Sequence, residues 1–220
     1  MTMRRFDLIV FDWDGTLMDS AAAIVASLQG ACRDLGHPVP TDAEARYVIG
    51  LGLHDAMRHV LPRIDPSDYP PLLERYRAHY LLRDVDTTLF DGAAPLVGEL
   101  RQAGFKLAVA TGKSRRGLDR ALVATGLAGS FHATRCADEG HPKPHPDMLE
   151  SLMRALAVTP GQTLMIGDTT HDMAMAQNAG VARIAVGYGA HPRSELEPYA
   201  PLTCVEAISE LRAWLLACAR

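Results

Sequence analysis

Residues 6–20, FDLIVFDWDGTLMDS, constrain this chain more than any other stretch. A continuous apolar run through Leu8, Ile9, Val10 and Phe11 stops at Asp12 and Asp14, followed by Gly15 and Thr16. A short unbroken apolar run of this kind is expected to form a strand buried on both faces, with its acids delivered at the carboxyl end. Gly15 allows a tight turn after them, and Asp19 or Ser20 can cap the helix expected next. Two carboxylates so placed repel each other and lose solvation, an arrangement that fits a bound cation better than an ordinary polar turn.

Apolar spacing then predicts a helix over residues 20–35, stopped at Gly36. Residues 41–83 carry no strand pattern; helices are expected over 42–48, 53–61 and 69–82, separated at Pro38, Pro40, Pro62 and Pro66. Beyond them strand and helix patterns alternate: helix 93–103, strand 105–110, helix 115–125, a weaker strand 131–135, helix 147–156, strand 163–166, helix 173–179, strand 183–186 and helix 205–217. Such alternation argues for an α/β fold, a parallel sheet with helices on both faces. Asp12, Thr111 and Asp168 each fall at the end of an expected strand, where open α/β sheets bind ligands.

Four motifs in order, and in matching strand context, carry a resemblance. They are the DWDGT run of Asp12 to Thr16, Thr111 with Gly112 after LAVA, Lys143 in HPKPHPD, and Gly167, Asp168 and Asp172 in GDTTHD. Together they resemble the haloacid-dehalogenase-like (HAD) hydrolases over residues 6–186. The resemblance implies a Rossmann-like parallel sheet with the first motif's strand central. It also implies a small all-helical cap inserted after that strand, with 1–17 and 84–220 forming the core and 18–83 the cap.

Asp12, Asp14, Asp168 and Asp172 face a single nearby cation, Lys143, and all-oxygen ligands select a hard metal ion, most simply Mg2+. The resemblance implies that Asp12, Asp168 and the main-chain carbonyl of Asp14 coordinate it, with Asp172 close by or acting through water. It further implies that Asp12 attacks a phosphoryl group to form an aspartyl-phosphate. Asp14 is expected to protonate the leaving alcohol and later activate water, its carboxylate neighbours favouring the protonated form. Thr111, the N–H groups around Gly112, and Lys143 are expected to hold the phosphoryl oxygens.

Other features are read more plainly. ATGKS at residues 110–114 lacks the first glycine of a nucleotide-binding P-loop, and the GLG of Gly50 to Gly52 has no strand before it. His132, Cys136, His141, His145 and His171 match no zinc spacing, Met173 and Met175 are expected to pack in the core, and Lys113 is read as a surface residue, with contact to substrate the alternative because its helix-start position faces the anion site.

Composition narrows the class of partner. A net charge of −4 without a basic stripe argues against nucleic acid, and no apolar run is long enough to cross a bilayer. Cys32, Cys136, Cys204 and Cys218 form no CxxC pair, so reduced thiols and a cytoplasmic protein are expected. Residues 18–83 contain no lysine, which argues against a phosphonate hydrolase or a sugar-phosphate mutase of the resembling family. A dehalogenase is disfavoured by the second acid, Asp14. What remains is a Mg2+-dependent phosphatase acting on a small phosphorylated metabolite. The VIGLG run of residues 48–52 resembles the cap loop of phosphoglycolate phosphatases, making 2-phosphoglycolate the first expected substrate, with Arg46, His54 and Arg58 available for its carboxylate. Sugar phosphates, nucleotides or pyrophosphate are the alternatives, and oligomeric state is not legible.

Overall fold

The computed structural model describes residues 5–84 and 87–217; Cys218 lies outside them. Strand β1 (Leu8–Phe11) is buried at every position. A short extension, β2 (Met18–Asp19), leads into four helices, α1 (Ala21–Asp34), α2 (Asp42–Tyr47), α3 (Leu53–Val60) and α4 (Tyr69–Asp84). The chain returns through β3 (Thr88–Leu89) and continues as α5 (Ala93–Gln102), β4 (Lys106–Thr111), α6 (Arg115–Ala124), β5 (Ala133–Cys136) and α7 (Asp147–Leu156). It ends with β6 (Thr163–Gly167), α8 (Thr170–Asn178), β7 (Ala182–Val186), α9 (Arg193–Leu196), β8 (Cys204–Val205) and α10 (Ile208–Ala217).

Six strands form one parallel sheet in the order β5-β4-β1-β6-β7-β8, which places the first motif's strand between β4 and β6 as expected. Alternation along β1 divides the core. Ile9 and Phe11 join Leu96, Leu100, Leu118 and Leu211 on one face, whereas Leu8 and Val10 pack with Met148, Leu149, Leu152 and Met175 on the other. Burial on both faces explains why β1 reads as a continuous apolar run rather than an alternating one.

The helices α1 to α4 have an apolar cluster of their own, built on Val25, Leu28, Cys32, Val48, Ile49, Met57 and Leu72. Ala190, from the loop after β7, reaches into it. Thr41 and Glu44 close a reciprocal capping box that starts α2, and Gly36 takes φ +72° just after α1. β2 pairs antiparallel with β3, so the two crossings between these helices and the sheet lie side by side.

Several elements differ from expectation, among them the unforeseen α9 and the start of α10 at Ile208 rather than 205. The β2–β3 ribbon and β8 are two residues per strand, too short for any periodic signal. Helix α8 begins at Thr170 rather than at 173, because Thr169 and Asp172 form a capping box that draws the first turn back to the strand end. No helix among the described residues is long and apolar enough to cross a membrane.

Candidate active site

The site forms where β1, β4 and β6 end. Asp12, whose N–H donates to the Ile166 carbonyl at 2.9 Å, continues the ladder one residue beyond β1, and its side chain is fully buried. Asp168 follows β6, and Asp172 lies in the first turn of α8. One carboxylate oxygen from each of these three acids lies within 4.8 Å of the others. Glycines make this crowding possible. A Cβ on Gly15, which takes φ +83°, would collide with the Asp168 carboxylate, and one on Gly167 would collide with Asp172.

Lys143 enters from the loop between β5 and α7 and is 1% exposed. Its Nζ lies 2.6 Å from Asp12 Oδ1 and 2.6 Å from Asp172 Oδ1. The Asn178 amide donates to the Pro144 carbonyl at 3.0 Å and fixes this loop to α8. Desolvation opposes the Lys143 charge, but the two carboxylates outweigh it and hold the ammonium above its ordinary value. Asp172 Oδ1 is ion-paired with Lys143 but accepts no hydrogen bond among the described residues, while Oδ2 accepts from Thr169 N at 3.0 Å and Thr169 Oγ1 at 2.7 Å. It orients the lysine and caps the helix at once.

Asp168 is held by Thr16 Oγ1, which donates to Oδ1 at 2.8 Å, and by the Ala190 N–H, which donates to Oδ2 at 2.7 Å. Burial raises its carboxyl to about 7, with Asp172 adding to the effect. Burial also raises Asp12 well above the carboxylate range, opposed by Lys143 and reinforced by Asp172 and Asp168. Asp12 Oδ2 is fully buried and has no hydrogen-bond partner among the described residues. A buried orphan oxygen amid three crowded carboxylates is what a small hard cation would complete, so the donor set fits Mg2+.

Asp14 differs from the sequence expectation in its surroundings. Its contacts are not carboxylates: Ser20 Oγ donates to Oδ1 at 2.5 Å, and Lys113 Nζ lies 2.9 Å from the same oxygen. Ser20 does precede α1, but its hydroxyl serves Asp14 rather than capping the helix. Lys113 is not a surface residue. Its side chain is 11% exposed and also donates to Tyr80 Oη on α4 at 2.8 Å. The site therefore has a second cation besides Lys143.

Thr111 closes β4 and is fully buried, with Oγ1 accepting from Lys113 N at 3.2 Å. Gly112 follows it, and a Cβ there would run into the carbonyls of Gly50 and Leu51. The cap loop is thus pressed onto the second motif. The Tyr47 carbonyl reinforces this approach, accepting from His171 Nε2 at 2.7 Å and His191 Nε2 at 3.0 Å. Thr170 N donates to His191 Nδ1, which leaves the ring hydrogen on Nε2. Burial lowers His171 to about 4 and lowers His191 as well, keeping both rings neutral donors near neutral pH.

The remaining expected residues are distributed less simply. Arg46 is half-buried at the end of α2, one residue before that carbonyl. His54 and Arg58 are exposed and line an open cavity of about 860 Å3 with Tyr69, Leu73 and Arg77; none of the clustered acids lines it. Met173 and Met175 are fully buried, as expected. His132 is used locally, accepting from Leu107 N at 3.0 Å, and His141 packs against His145 with ring centroids 4.4 Å apart. The reading of the sequence passed over the supporting roles of Thr16, Ser20, Tyr80, Thr169 and His191. Only Thr16 and Thr169 had a local signal, the first inside the DWDGT run and the second three residues before Asp172.

Known proteins resemble this chain in sequence and in fold. The model of the haloacid dehalogenase-like hydrolases matches residues 9–186, most of the chain, and the chain belongs to that family. "Probable phosphatase IndB" of Dickeya dadantii is 35% identical over 209 residues, covering 93% of this chain and 91% of its own. "Tyrosine-protein kinase PtkA" of Mycobacterium tuberculosis is 35% identical over 184 residues, covering 83% of this chain but 62% of its own. A crystal structure described as a predicted phosphoglycolate phosphatase from Haemophilus somnus superposes with a TM-score of 0.86 at 22% identity, covering 97% of this chain and 99% of its own. That structural likeness establishes the shared fold.

Proposed function

We infer that the chain is a Mg2+-dependent phosphatase of small phosphate monoesters, working through an aspartyl-phosphate on Asp12. The observation that carries this reading is the state of Asp12: fully buried, held at Oδ1 by Lys143, unpartnered at Oδ2, and next to a separately held acid, Asp14. The similarity to a protein named as a phosphatase supports the same chemistry.

In this reading a carboxylate oxygen of Asp12 forms a bond to phosphorus as the ester P–O bond breaks, and Asp14 gives its proton to the departing oxygen. The resulting Asp14 carboxylate then takes a proton from water, whose oxygen attacks phosphorus and returns Asp12 as a carboxylate. Ser20 and Lys113 hold Asp14 at Oδ1, which assigns the travelling proton to Oδ2. Lys143 keeps the nucleophile oriented and offsets phosphoryl charge, and Thr111 with the N–H of Gly112 lines the position for the phosphoryl oxygens. Asp12 and Asp168, with the Asp14 main chain and Asp172 nearby, would hold Mg2+, which when bound supplies charge that offsets repulsion between Asp12 and the phosphoryl group.

The substrate assigned first is 2-phosphoglycolate, on the strength of the Gly-containing loop at residues 48–52 that lies over Gly112. Arg46 is the cap cation next to that loop. The test is inorganic phosphate release from 2-phosphoglycolate, sugar phosphates, nucleotides and pyrophosphate, with Mg2+ and with EDTA. Metal-dependent release concentrated on 2-phosphoglycolate is expected. Release spread over the other esters would retain the chemistry and discard the substrate; no release from folded protein would leave a phosphomutase or a silent binding protein.

A further inference from the structure

The proposed chemistry accounts for Lys143 but leaves the second, partly buried cation without a task in phosphoryl transfer. Lys113 does not touch Asp12, Asp168 or Asp172; its recorded partners are Asp14 Oδ1 at 2.9 Å and Tyr80 Oη at 2.8 Å. Its ammonium also stands 4.6 Å from the centroid of the Tyr80 ring, so one residue of α4 offers it both a hydroxyl and a π face. Tyr80 itself is 8% exposed. A lysine ammonium has three donors, and these two partners account for two of them.

Position decides what the cation is for. Asp14 is the group that meets the leaving oxygen, so a cation 2.9 Å from its carboxylate stands on the leaving-group side of the reacting phosphorus. A carboxylate carried on the carbon next to the ester oxygen would lie beside Asp14 and, once Asp14 has given up its proton, be repelled by it unless a cation stood between them. Lys143 cannot serve, being enclosed by Asp12 and Asp172 at 2.6 Å each. Arg58 and His54 line the cap cavity instead.

We propose that Lys113, held by Tyr80 of the cap, is the specificity-determining cation of this site and receives the carboxylate of a short phosphorylated hydroxy acid through its third donor. This rests on the phosphatase reading and deepens it by moving recognition of the substrate's second anionic group from the cap arginines to a core lysine. Because Tyr80 belongs to α4 and Lys113 to the loop before α6, the subsite is complete only with α4 packed over the core.

The test compares 2-phosphoglycolate with ethyl phosphate, an ester of the same length without the carboxylate, in wild type, Lys113→Met, Tyr80→Phe and Arg46→Ala. Each is measured with Mg2+ for kcat and KM, and each protein's thermal melting is checked. Wild type is expected to prefer 2-phosphoglycolate. Lys113→Met is expected to lower kcat/KM for it by at least about tenfold more than for ethyl phosphate, chiefly through KM. Tyr80→Phe, which keeps the ring, is expected to lose part of the same preference. Equal losses on both esters would overturn the proposal, since a lysine acting only through Asp14 slows both alike. So would loss of the preference in Arg46→Ala with its retention in Lys113→Met. If wild type turns over neither ester, the reading of 2-phosphoglycolate as substrate fails. Calorimetric Kd values for the two esters then decide the subsite: a tenfold weaker Kd for 2-phosphoglycolate alone in Lys113→Met upholds it, and unchanged values overturn it.

Discussion

Replacing Asp12 by asparagine removes the proposed nucleophile, and the structure predicts that it also stabilises the metal-free protein. Asp12 shares a space within 4.8 Å with the carboxylates of Asp168 and Asp172. At an effective dielectric near 20, a like-charge pair at 4.8 Å repels by about 3.5 kcal/mol, so two pairs cost about 7 kcal/mol. The Lys143 ammonium at 2.6 Å returns about 6 kcal/mol on the same scale, before the desolvation of a fully buried charge is counted. Asparagine keeps an oxygen for Lys143, and its amide takes the place of Oδ2, which has no partner to lose. The expected gain is on the order of 1–2 kcal/mol, or about 2–4 °C in melting temperature for each kcal/mol in a chain of this size.

The assay is thermal unfolding at pH 8, above the value of about 7 to which burial and Asp172 raise Asp168. In EDTA, Asp12→Asn should melt above wild type while releasing no phosphate. In Mg2+ at about 100 times its Kd the order should reverse, because wild type gains about 2.7 kcal/mol from the ion and the variant has lost an anionic ligand. A variant that melts below wild type in EDTA, or a Mg2+ shift equal in both proteins, would refute the account of the acid cluster.

Gly112→Ala should lower kcat/KM by about tenfold or more and lower the melting temperature as well, because the added methyl meets the main-chain carbonyls of Gly50 and Leu51 and displaces the loop over the site; unchanged kinetics and melting would show that the loop does not need this approach. Burial pushes the Cys136 thiol up to about 12, so at pH 8 its thiolate fraction is about one in ten thousand. Alkylation followed by peptide mapping should find half-buried Cys204 modified well before Cys136, and early modification of Cys136 would contradict its packing.

The sheet and the acid cluster were legible because their signals are local. A four-residue apolar run ending in Asp12, LAVA before Thr111, and GDTTHD after a strand each state an element and its chemical end within a few residues. Lys113 was misread because its neighbourhood looks like any helix start, and its partner Tyr80 is 33 positions away on a helix whose docking angle the sequence does not encode locally. Ser20 was read as a cap for a related reason: a serine before a helix carries the same local signal whether its hydroxyl turns to the helix or to an acid six residues back. The His171 and His191 contacts had no signal at all, since both rings reach a backbone oxygen, and every residue has one.

That backbone oxygen bears on how such a protein can change its preferences. On the cap side, the contacts that seat the loop include the Tyr47 carbonyl beneath two imidazoles, the Tyr47 ring packed on the same two rings, and the Gly50 and Leu51 carbonyls against Gly112. Main-chain atoms are common to all residue types, so side chains at neighbouring positions such as Arg46, His54 and Arg58 can be exchanged without deleting the seat. The seat and these side chains are thus largely different atoms, and substitutions at the side chains would leave the packing against Gly112 in place.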